Sequence, residues 1–399
     1  MTQIIGFPEE MRDKASDGGG GNPLSASLGL STREAEDGRT YGALDLGTNN
    51  CRLLIARRQR DGFKVIDSFS RITRLGEGLG AHGRFTPAAI DRTLAALTVC
   101  ASRMERHGVS VSRCVATAAC RLAGDTAPFL ERIRGETGLA VEVISADEEA
   151  RLALAGCAPL LEARGAPTLL FDIGGGSTEL TLVEVEDTPA GPMPGAVRAM
   201  ESLPLGVVTM AEAVGGGHLS ARLHADIVTH VRERLRPFDI THGISDRAAR
   251  GDLSLLGTSG TVTTVGAVAL GLTRYDRARV DGLTLPIHAV KEVGARLLDM
   301  TPQARAAHPC IGRDRADLVL AGCAILEAIL STWPVPRVRV ADRGIREGLL
   351  MTLMDARGPC DFTEVRDSDD PPQADDKILP PLVDDLPRPP PSPESGVTP

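Results

Sequence analysis

The chain has 399 residues, 42% of them apolar and 24% charged, which suits a soluble globular protein of two ordinary domains. Aromatic residues make up only 3%, too few for the stacking platforms of a single-strand binder, and a net charge of −9 gives no basic field to draw in a long polyanion. Ten acidic and three basic residues fall between Asp361 and Pro399, so −7 of that charge lies there and the rest of the chain is nearly neutral.

Residues 1–40 are rich in Gly, Asp and Ser and are expected to form a flexible lead. No charged segment followed by an apolar one marks a secretory signal, and no apolar run reaches membrane-spanning length. The reading is a cytoplasmic protein with no membrane or nucleic-acid partner. The eight cysteines, at 51, 100, 114, 120, 157, 310, 323 and 360, form no C-x-x-C pair. Most lie in apolar segments, as small buried hydrophobes do in a reducing compartment.

Strand-like runs at 43–46, 51–58 and 63–70 come first. A helix follows over 86–108: Thr86 caps it, Pro87 sits in its first turn and Gly108 ends it. Ile90, Leu94, Leu97, Ala101 and Met104 make one apolar stripe at 4-3-4-3 spacing, a core face. Strand 113–118, helix 126–137, strand 140–145 and helix 147–162 complete a βββαβαβα order. The order then recurs: strands 168–173, 179–186 and 197–203, helix 220–236, strand 253–257, helix 261–271, a helical insertion near 287–331, strand 336–341 and helix 344–356. Such an internal repeat predicts two related domains, 41–163 and 164–357. From 358 to 399 the chain is Pro- and Asp-rich, with eleven of the 27 prolines, and is expected to stay solvated.

Two segments carry the repeat locally. ALDLGTNNCRLLIA (43–56) can be laid on LFDIGGGSTELTLV (170–183), with Asp45 on Asp172 and Gly47 on Gly174. Each is an apolar strand ending in Asp, a Gly-containing turn, and a second apolar strand. Glycine tolerates positive φ and leaves room for an approaching ligand, so unpaired amides in such turns can bind phosphate. Asp45, Asp172 and Glu179 would then hold a metal ion that offsets phosphate charge. The plainer reading is a pair of hairpins whose glycines only make the turn.

A third turn, GTSGT (257–261), joins a strand to a helix start, where Gly257, Ser259, Gly260 and Thr261 could face an anion; a plain connection explains it equally. Arg121 leaves a strand end and Arg52 follows the first turn, so each could fork onto phosphate or make a surface ion pair. In SADEEARL (145–152), Ser145 or Asp147 caps a helix, and Glu148 or Glu149 could take a proton from an attacking water. No H-E-x-x-H, no G-x-x-x-x-G-K-[ST] and no G-x-S-x-G motif is present.

Together LDLGTNNCRLLIA, RLGEGL (74–79), ATAACR (116–121), SADEEARL, FDIGGGSTEL (171–180), SLPLGVV (202–208), GTSGT and ADRGIREGLL (341–350) resemble the exopolyphosphatase / guanosine pentaphosphate phosphohydrolase family, in family order across 43–355. The resemblance implies a duplicated ribonuclease H-like α/β fold of the actin, chaperone and sugar-kinase superfamily, with the active site in the interdomain cleft. It implies Mg²⁺-dependent hydrolysis of a terminal phosphoanhydride in inorganic polyphosphate or guanosine pentaphosphate. Glu149 matches the family's catalytic glutamate, and Asp172 and Glu179 match metal- and phosphate-site carboxylates. Gly174, Gly175, Gly176 and Ser177 match one phosphate loop, Gly47, Thr48 and Asn49 the other, and Arg121 a family arginine near phosphate.

Two departures bear on this. The first turn reads GTNN where the family commonly has GSNS, which keeps a hydroxyl and polarity. Longer members carry further helical domains after this body, so short polyphosphates or nucleotide substrates gain weight here. A homodimer is allowed on family grounds. Phosphoryl transfer to an acceptor, and non-catalytic sensing of polyphosphate or guanosine tetraphosphate, are the rival functions.

Overall fold

The computed structural model describes residues 38–355, apart from 61, 163, 164, 190, 217 and 218. The expected lead and the expected solvated tail lie outside the described residues, except for 38–40.

The first half runs β1 (Thr40–Leu46), β2 (Asn50–Gln59), β3 (Gly62–Ile72), α1 (Leu79–His82), α2 (Pro87–Arg106), β4 (Val111–Ala116), α3 (Ala118–Leu122), α4 (Thr126–Thr137), β5 (Val141–Val143) and α5 (Ala146–Cys157). The second half runs β6 (Thr168–Ile173), β7 (Thr178–Thr188), β8 (Gly191–Leu203), α6 (Val207–Ala213), α7 (Ala221–His242), α8 (Ile244–Ala249), β9 (Ser254–Thr258), α9 (Ser259–Ala269), α10 (Arg277–Val280), β10 (Thr284–Pro286), α11 (Ile287–Asp299), α12 (Pro302–Ala307), α13 (Val319–Thr332), β11 (Arg337–Ala341) and α14 (Ile345–Met354).

The first sheet has the order β3-β2-β1-β4-β5, and the second, read from its other edge, β8-β7-β6-β9-β11-β10. Strand for strand the two match, and β10 is an added edge on the second. In each, the first two strands are antiparallel and the first pairs in parallel with the fourth. The duplicated α/β fold expected from the sequence is therefore present. Every residue of β1 is buried, as a central strand covered on both faces requires.

Local signals act as expected. Thr86 Oγ1 accepts from Ala89 N at 3.2 Å to start α2, and Ser145 Oγ accepts from Glu148 N at 3.1 Å to start α5. On α2, Leu94, Leu97 and Met104 are buried, and Ile90 and Ala101 pack beside them. Two expectations needed correction. The helix expected over 147–162 ends at Cys157, because Pro159 clashes with a continuing helix and diverts the chain into a 3₁₀ turn. The helix expected to stop at 236 runs to His242, straight through Pro237. The short helices α3 and α6 and the short strand β10 fell in stretches too brief for a periodic pattern to show.

One arrangement could not be read from order alone. The last helix, α14, follows the second sheet in sequence but buries Ile345, Leu349 and Leu350 with Ala43, Leu54 and Val115 of the first. Conversely α5 presents Leu154 and Cys157 to Leu170, Val183 and Leu256 of the second. The two helices cross between the sheets and tie them together. Their backbones touch: a methyl group on Gly348 would overlap the Leu152 carbonyl, and one on Gly156 the Gly344 carbonyl.

Gly348→Ala therefore sets two effects against each other. The helix gains up to about 1 kcal/mol in propensity. Overlap with a backbone that cannot rotate away costs about 1–3 kcal/mol or more. The overlap is expected to win, so Gly348→Ala should melt below the parent chain in a thermal scan. A melting temperature at or above the parent's contradicts this contact.

Candidate active site

The two Asp-bearing hairpins share one register. Asp45 pairs across with Arg52, and Asp172 with Glu179. In the turns, Gly47 N donates to Asn50 O at 2.9 Å and Gly174 N to Ser177 O at 2.8 Å. Equivalent positions thus carry opposite charges, a cation after the first turn and an anion after the second.

Positive φ is not what these turns use their glycines for. None of Gly47, Gly174, Gly175 and Gly176 takes a left-handed backbone. What Gly175 and Gly176 provide is closeness. A Cβ on Gly175 would stand 2.9 Å from Thr48 Cβ, and one on Gly176 2.7 Å from Thr48 Oγ1 and 3.2 Å from Ala118 Cβ. Bare backbone lets the second turn press against the first. Among the described residues, the amides of Thr48, Asn49, Gly175 and Gly176 donate to no protein group.

The third turn arrives at the same place. Ser259 has φ 88°, a conformation that costs a non-glycine residue about 1–3 kcal/mol, and its hydroxyl donates to Ile173 O at 2.5 Å. That bond pins the turn to the end of β6. The guanidinium of Arg52 crosses from the first domain to within 4.0 Å of where a Gly260 Cβ would stand.

Two residues expected in this turn's phosphate contact have packing roles in the structure. Gly257 lies inside β9, where a side chain would strike the Phe171 ring, so packing accounts for it. Thr261 is buried with its side chain against Gly322 of α13, away from the turn. The Ser177 hydroxyl donates to Glu179 Oε1 at 2.5 Å.

Glu149 lies in the first turn of α5 and is only 7% exposed. Its Oε2 accepts from Arg121 Nη1 at 2.7 Å, and the same nitrogen reaches Ile144 O at 3.1 Å. Arg121, expected on phosphate, here positions this carboxylate. Glu148 points the other way and pairs with Arg113 at 2.5 Å. The ambiguity between the two glutamates is resolved by the helix: one faces the cleft, the other the surface.

Four carboxylates act on one another here. Burial and the facing Glu179 push Glu149 up to about 8, more than Arg121 pulls it down. Burial and Glu149 push Asp172 up to about 7 despite Arg52. Burial and Asp172 push Glu179 up to about 7, against hydrogen bonds from Ser177 and Ser202. Burial raises Asp45 in spite of Arg52 and Arg346. In each case desolvation and like-charge repulsion outweigh the arginines. The site is short of positive charge.

A divalent cation fits that shortage. Asp45 is 8% exposed, and its Oδ1 is buried with no hydrogen-bond partner. Glu179 Oε1 is held by Ser177 and by Ser202, at 2.9 Å, and Oε2 lies beside the Gly174 turn. Among the described residues, however, no three His, Cys, Asp or Glu side chains form a ready-made metal cage. The expected trio of Asp45, Asp172 and Glu179 is not preassembled. Mg²⁺ commonly takes one or two carboxylates and completes its shell with water and phosphate, which the cross-strand pair Asp172–Glu179 can serve.

The two halves also meet at a second seam. Arg74 Nη2 pairs with Asp317 Oδ2 at 3.0 Å, and Gly78 N donates to Glu212 Oε1 at 2.9 Å, joining the two halves. A cavity of about 310 Å³ lies at this seam, lined by Asn49, Arg74, Glu77, Glu212 and Asp317. It shares only Asn49 with the hairpin turns, and none of the four carboxylates lines it. One cleft residue is not marked by any turn or strand end in the sequence. Arg346, in the second position of α14, acts on both Asp45 and Arg52. Its signal is the ADRGIREGLL segment, which holds several charged residues and does not say which of them faces the cleft.

With this geometry in hand, similarity to known proteins has a definite meaning. A guanosine-5'-triphosphate,3'-diphosphate pyrophosphatase of Aeromonas salmonicida is 27% identical over 322 residues, 80% of this chain but only 60% of that enzyme. Exopolyphosphatase 2 of Mycobacterium tuberculosis is 33% identical over 333 residues, 78% of this chain and 97% of that one. The crystal structure of the Aquifex aeolicus member of the Ppx/GppA family superposes with a TM-score of 0.63 at 26% identity, over 78% of this chain and 96% of that one. The family model described as the Ppx/GppA phosphatase family matches residues 54–357, and the chain belongs to that family.

Proposed function

We propose that this chain is a cytoplasmic hydrolase that removes the terminal phosphoryl group of inorganic polyphosphate, of guanosine pentaphosphate, or of both, with water as acceptor. The observation that carries this reading is the position of Glu149. It is a buried carboxylate oriented by Arg121, set among Asp45, Asp172 and Glu179 where the unpaired amides of two glycine-bearing turns meet.

In this mechanism the amides at 48–49 and 175–176 receive phosphate oxygens, as unpaired turn amides do. Glu149 holds the attacking water and takes its proton during in-line displacement. Arg121 fixes the rotamer of Glu149 and keeps a free edge toward the leaving charge. Asp172 and Glu179 would hold Mg²⁺, which when bound neutralises phosphoryl charge and favours the ionised carboxylates. The Arg74–Asp317 and Gly78–Glu212 links hold the two halves together around the cleft.

Polyphosphate is the first substrate to test, because the mycobacterial exopolyphosphatase is matched along 97% of its length and the Aeromonas pyrophosphatase along 60%. Phosphate release should be measured in parallel on tripolyphosphate, long-chain polyphosphate and guanosine pentaphosphate with Mg²⁺ present. The proposal expects free orthophosphate from at least one of them. A phosphorylated acceptor in place of orthophosphate would make the protein a kinase. Tight binding of all three without turnover would make it a sensor.

A further inference from the structure

SLPLGVV, residues 202–208, runs from the end of β8 into α6. Its backbone braces the second hairpin turn. Val207 N donates to Gly174 O at 3.0 Å, and Val208 N to Gly175 O at 2.8 Å. Two of the turn's carbonyls are thus tied to the start of α6. Gly206 lies directly against the same turn, where a Cβ would stand 2.2 Å from Gly175 O. Thr178, just after the turn, donates through its hydroxyl to Leu205 O at 2.5 Å.

Ser202 extends this bracing to a charged group. The register sets Asp172, Glu179 and Ser202 opposite one another on β6, β7 and β8. Residues directly opposite share one face of a sheet, so the three side chains lie in a row. Ser202 Oγ donates to Glu179 Oε1 at 2.9 Å, and Ser177 Oγ donates to the same oxygen at 2.5 Å. Two hydroxyls from different parts of the chain therefore hold a single carboxylate oxygen. The other oxygen, Oε2, lies 3.9 Å from where a Gly174 Cβ would stand, at the turn itself.

A carboxylate held in this way offers one oxygen and keeps the other back. Mg²⁺ demands near-ideal octahedral positions and is served by single oxygens, whereas Ca²⁺ also accepts both oxygens of one carboxylate. Hydrogen bonds behind a ligating carboxylate set its direction.

We propose that Ser202 is a positioning residue: with Ser177 it ties back Oε1 of Glu179, so that Oε2 alone is presented to a cation at the second turn. This rests on the reading of Asp172 and Glu179 as the pair that would hold Mg²⁺, but not on which phosphate chain is the substrate. Ser202 acts through Glu179 and needs no contact with the substrate.

The test uses the full chain and the variants Ser202→Ala and Ser202→Thr, with Mg²⁺ alone as the probe. Calorimetric titration reads the site without turnover. Ser202→Ala should weaken Mg²⁺ binding about 10–100-fold, the range seen when a group behind a metal ligand is lost. Ser202→Thr keeps the hydroxyl and should recover most of that affinity. In phosphate release from tripolyphosphate, Ser202→Ala should need correspondingly more Mg²⁺ for half-activation, while kcat at saturating Mg²⁺ returns close to the parent value.

A hydroxyl that only satisfies a buried carboxylate behaves differently. Its loss lowers the melting temperature equally with and without Mg²⁺ and leaves Mg²⁺ affinity unchanged. That result overturns the proposal, and so does equal weakening by Ser202→Ala and Ser202→Thr. If the parent chain binds Mg²⁺ but releases no phosphate, the hydrolase reading fails, and the titration still decides the role of Ser202. If the parent binds no Mg²⁺, the role falls together with the cation site, whatever the chain hydrolyses. Should Ser202→Ala be insoluble, Ser202→Cys, which keeps the shape but is a weak donor, carries the same measurements.

Discussion

Glu149→Gln is expected to lower the rate of phosphate release about 10²–10⁴-fold, the usual contribution of a general base. The substitution keeps shape, and the amide oxygen can still accept from Arg121, which holds the native side chain at 2.7 Å. Its effect on folding should be small or favourable, since a neutral group replaces one that burial and Glu179 already resist ionising. Activity and melting temperature should therefore separate: the rate collapses and the fold does not. The base must be deprotonated to act. With its carboxyl pushed up to about 8, kcat/KM should climb with pH toward that value, and a bound cation should move the climb to lower pH. Wild-type turnover by Glu149→Gln at saturating Mg²⁺ would remove Glu149 from the mechanism.

The second large effect concerns the cation. Asp172 and Glu179 are each raised to about 7, from ordinary values of 3.8 and 4.5, and Glu149 to about 8 from 4.5. A carboxyl raised on folding favours the folded state below its unfolded value and withdraws that support as pH climbs through the folded one. The metal-free protein should therefore lose stability between about pH 5 and pH 8, by about 1.4 kcal/mol for every tenfold by which folding tightens one group's hold on its proton. The three groups share their repulsion, so their contributions do not add.

Mg²⁺ should reverse the loss, since a ligand at a hundredfold excess over its Kd adds about 2.7 kcal/mol. Thermal scans at pH 5 and pH 8, with Mg²⁺ or with a chelator, read this without any activity assay. Asp172→Asn should flatten both the pH slope and the Mg²⁺ response, and should lower phosphate release by about two to four orders of magnitude if several kcal/mol of charge stabilisation are lost. A melting temperature indifferent to Mg²⁺ at pH 8 would refute the cation site.

Much of the site is legible in the chain itself, for a physical reason. Asp45 and Asp172 end apolar runs of strand length, and the hairpin that follows each is local, so sequence spacing fixes the cross-strand partners Arg52 and Glu179. Residue types alone leave Glu148 and Glu149 level; the family resemblance points to Glu149, and the helix axis gives each its direction.

What escapes a sequence depends on contacts distant along it. The glycines at 175 and 176 answer to Thr48 of the other domain, and no local pattern announces an approach of that kind. Gly257 and Thr261 look like part of a phosphate turn, yet Phe171 and Gly322 account for them. Arg346 lies within a motif that carries the family resemblance, but only the crossing of α14 onto the first sheet lets it act on Asp45 and Arg52. The repeat foretells two domains; the packing of α5 and α14 between them requires the fold.

At the centre of the proposed chemistry, water attacks the terminal phosphorus of a chain of phosphates held in the cleft. Hydrolysis of tripolyphosphate in oxygen-18 water, with both products weighed by mass spectrometry, tests it most directly. The account predicts a single heavy oxygen in the released orthophosphate and none in the pyrophosphate left behind. Heavy oxygen in the pyrophosphate, or orthophosphate carrying none, would contradict it.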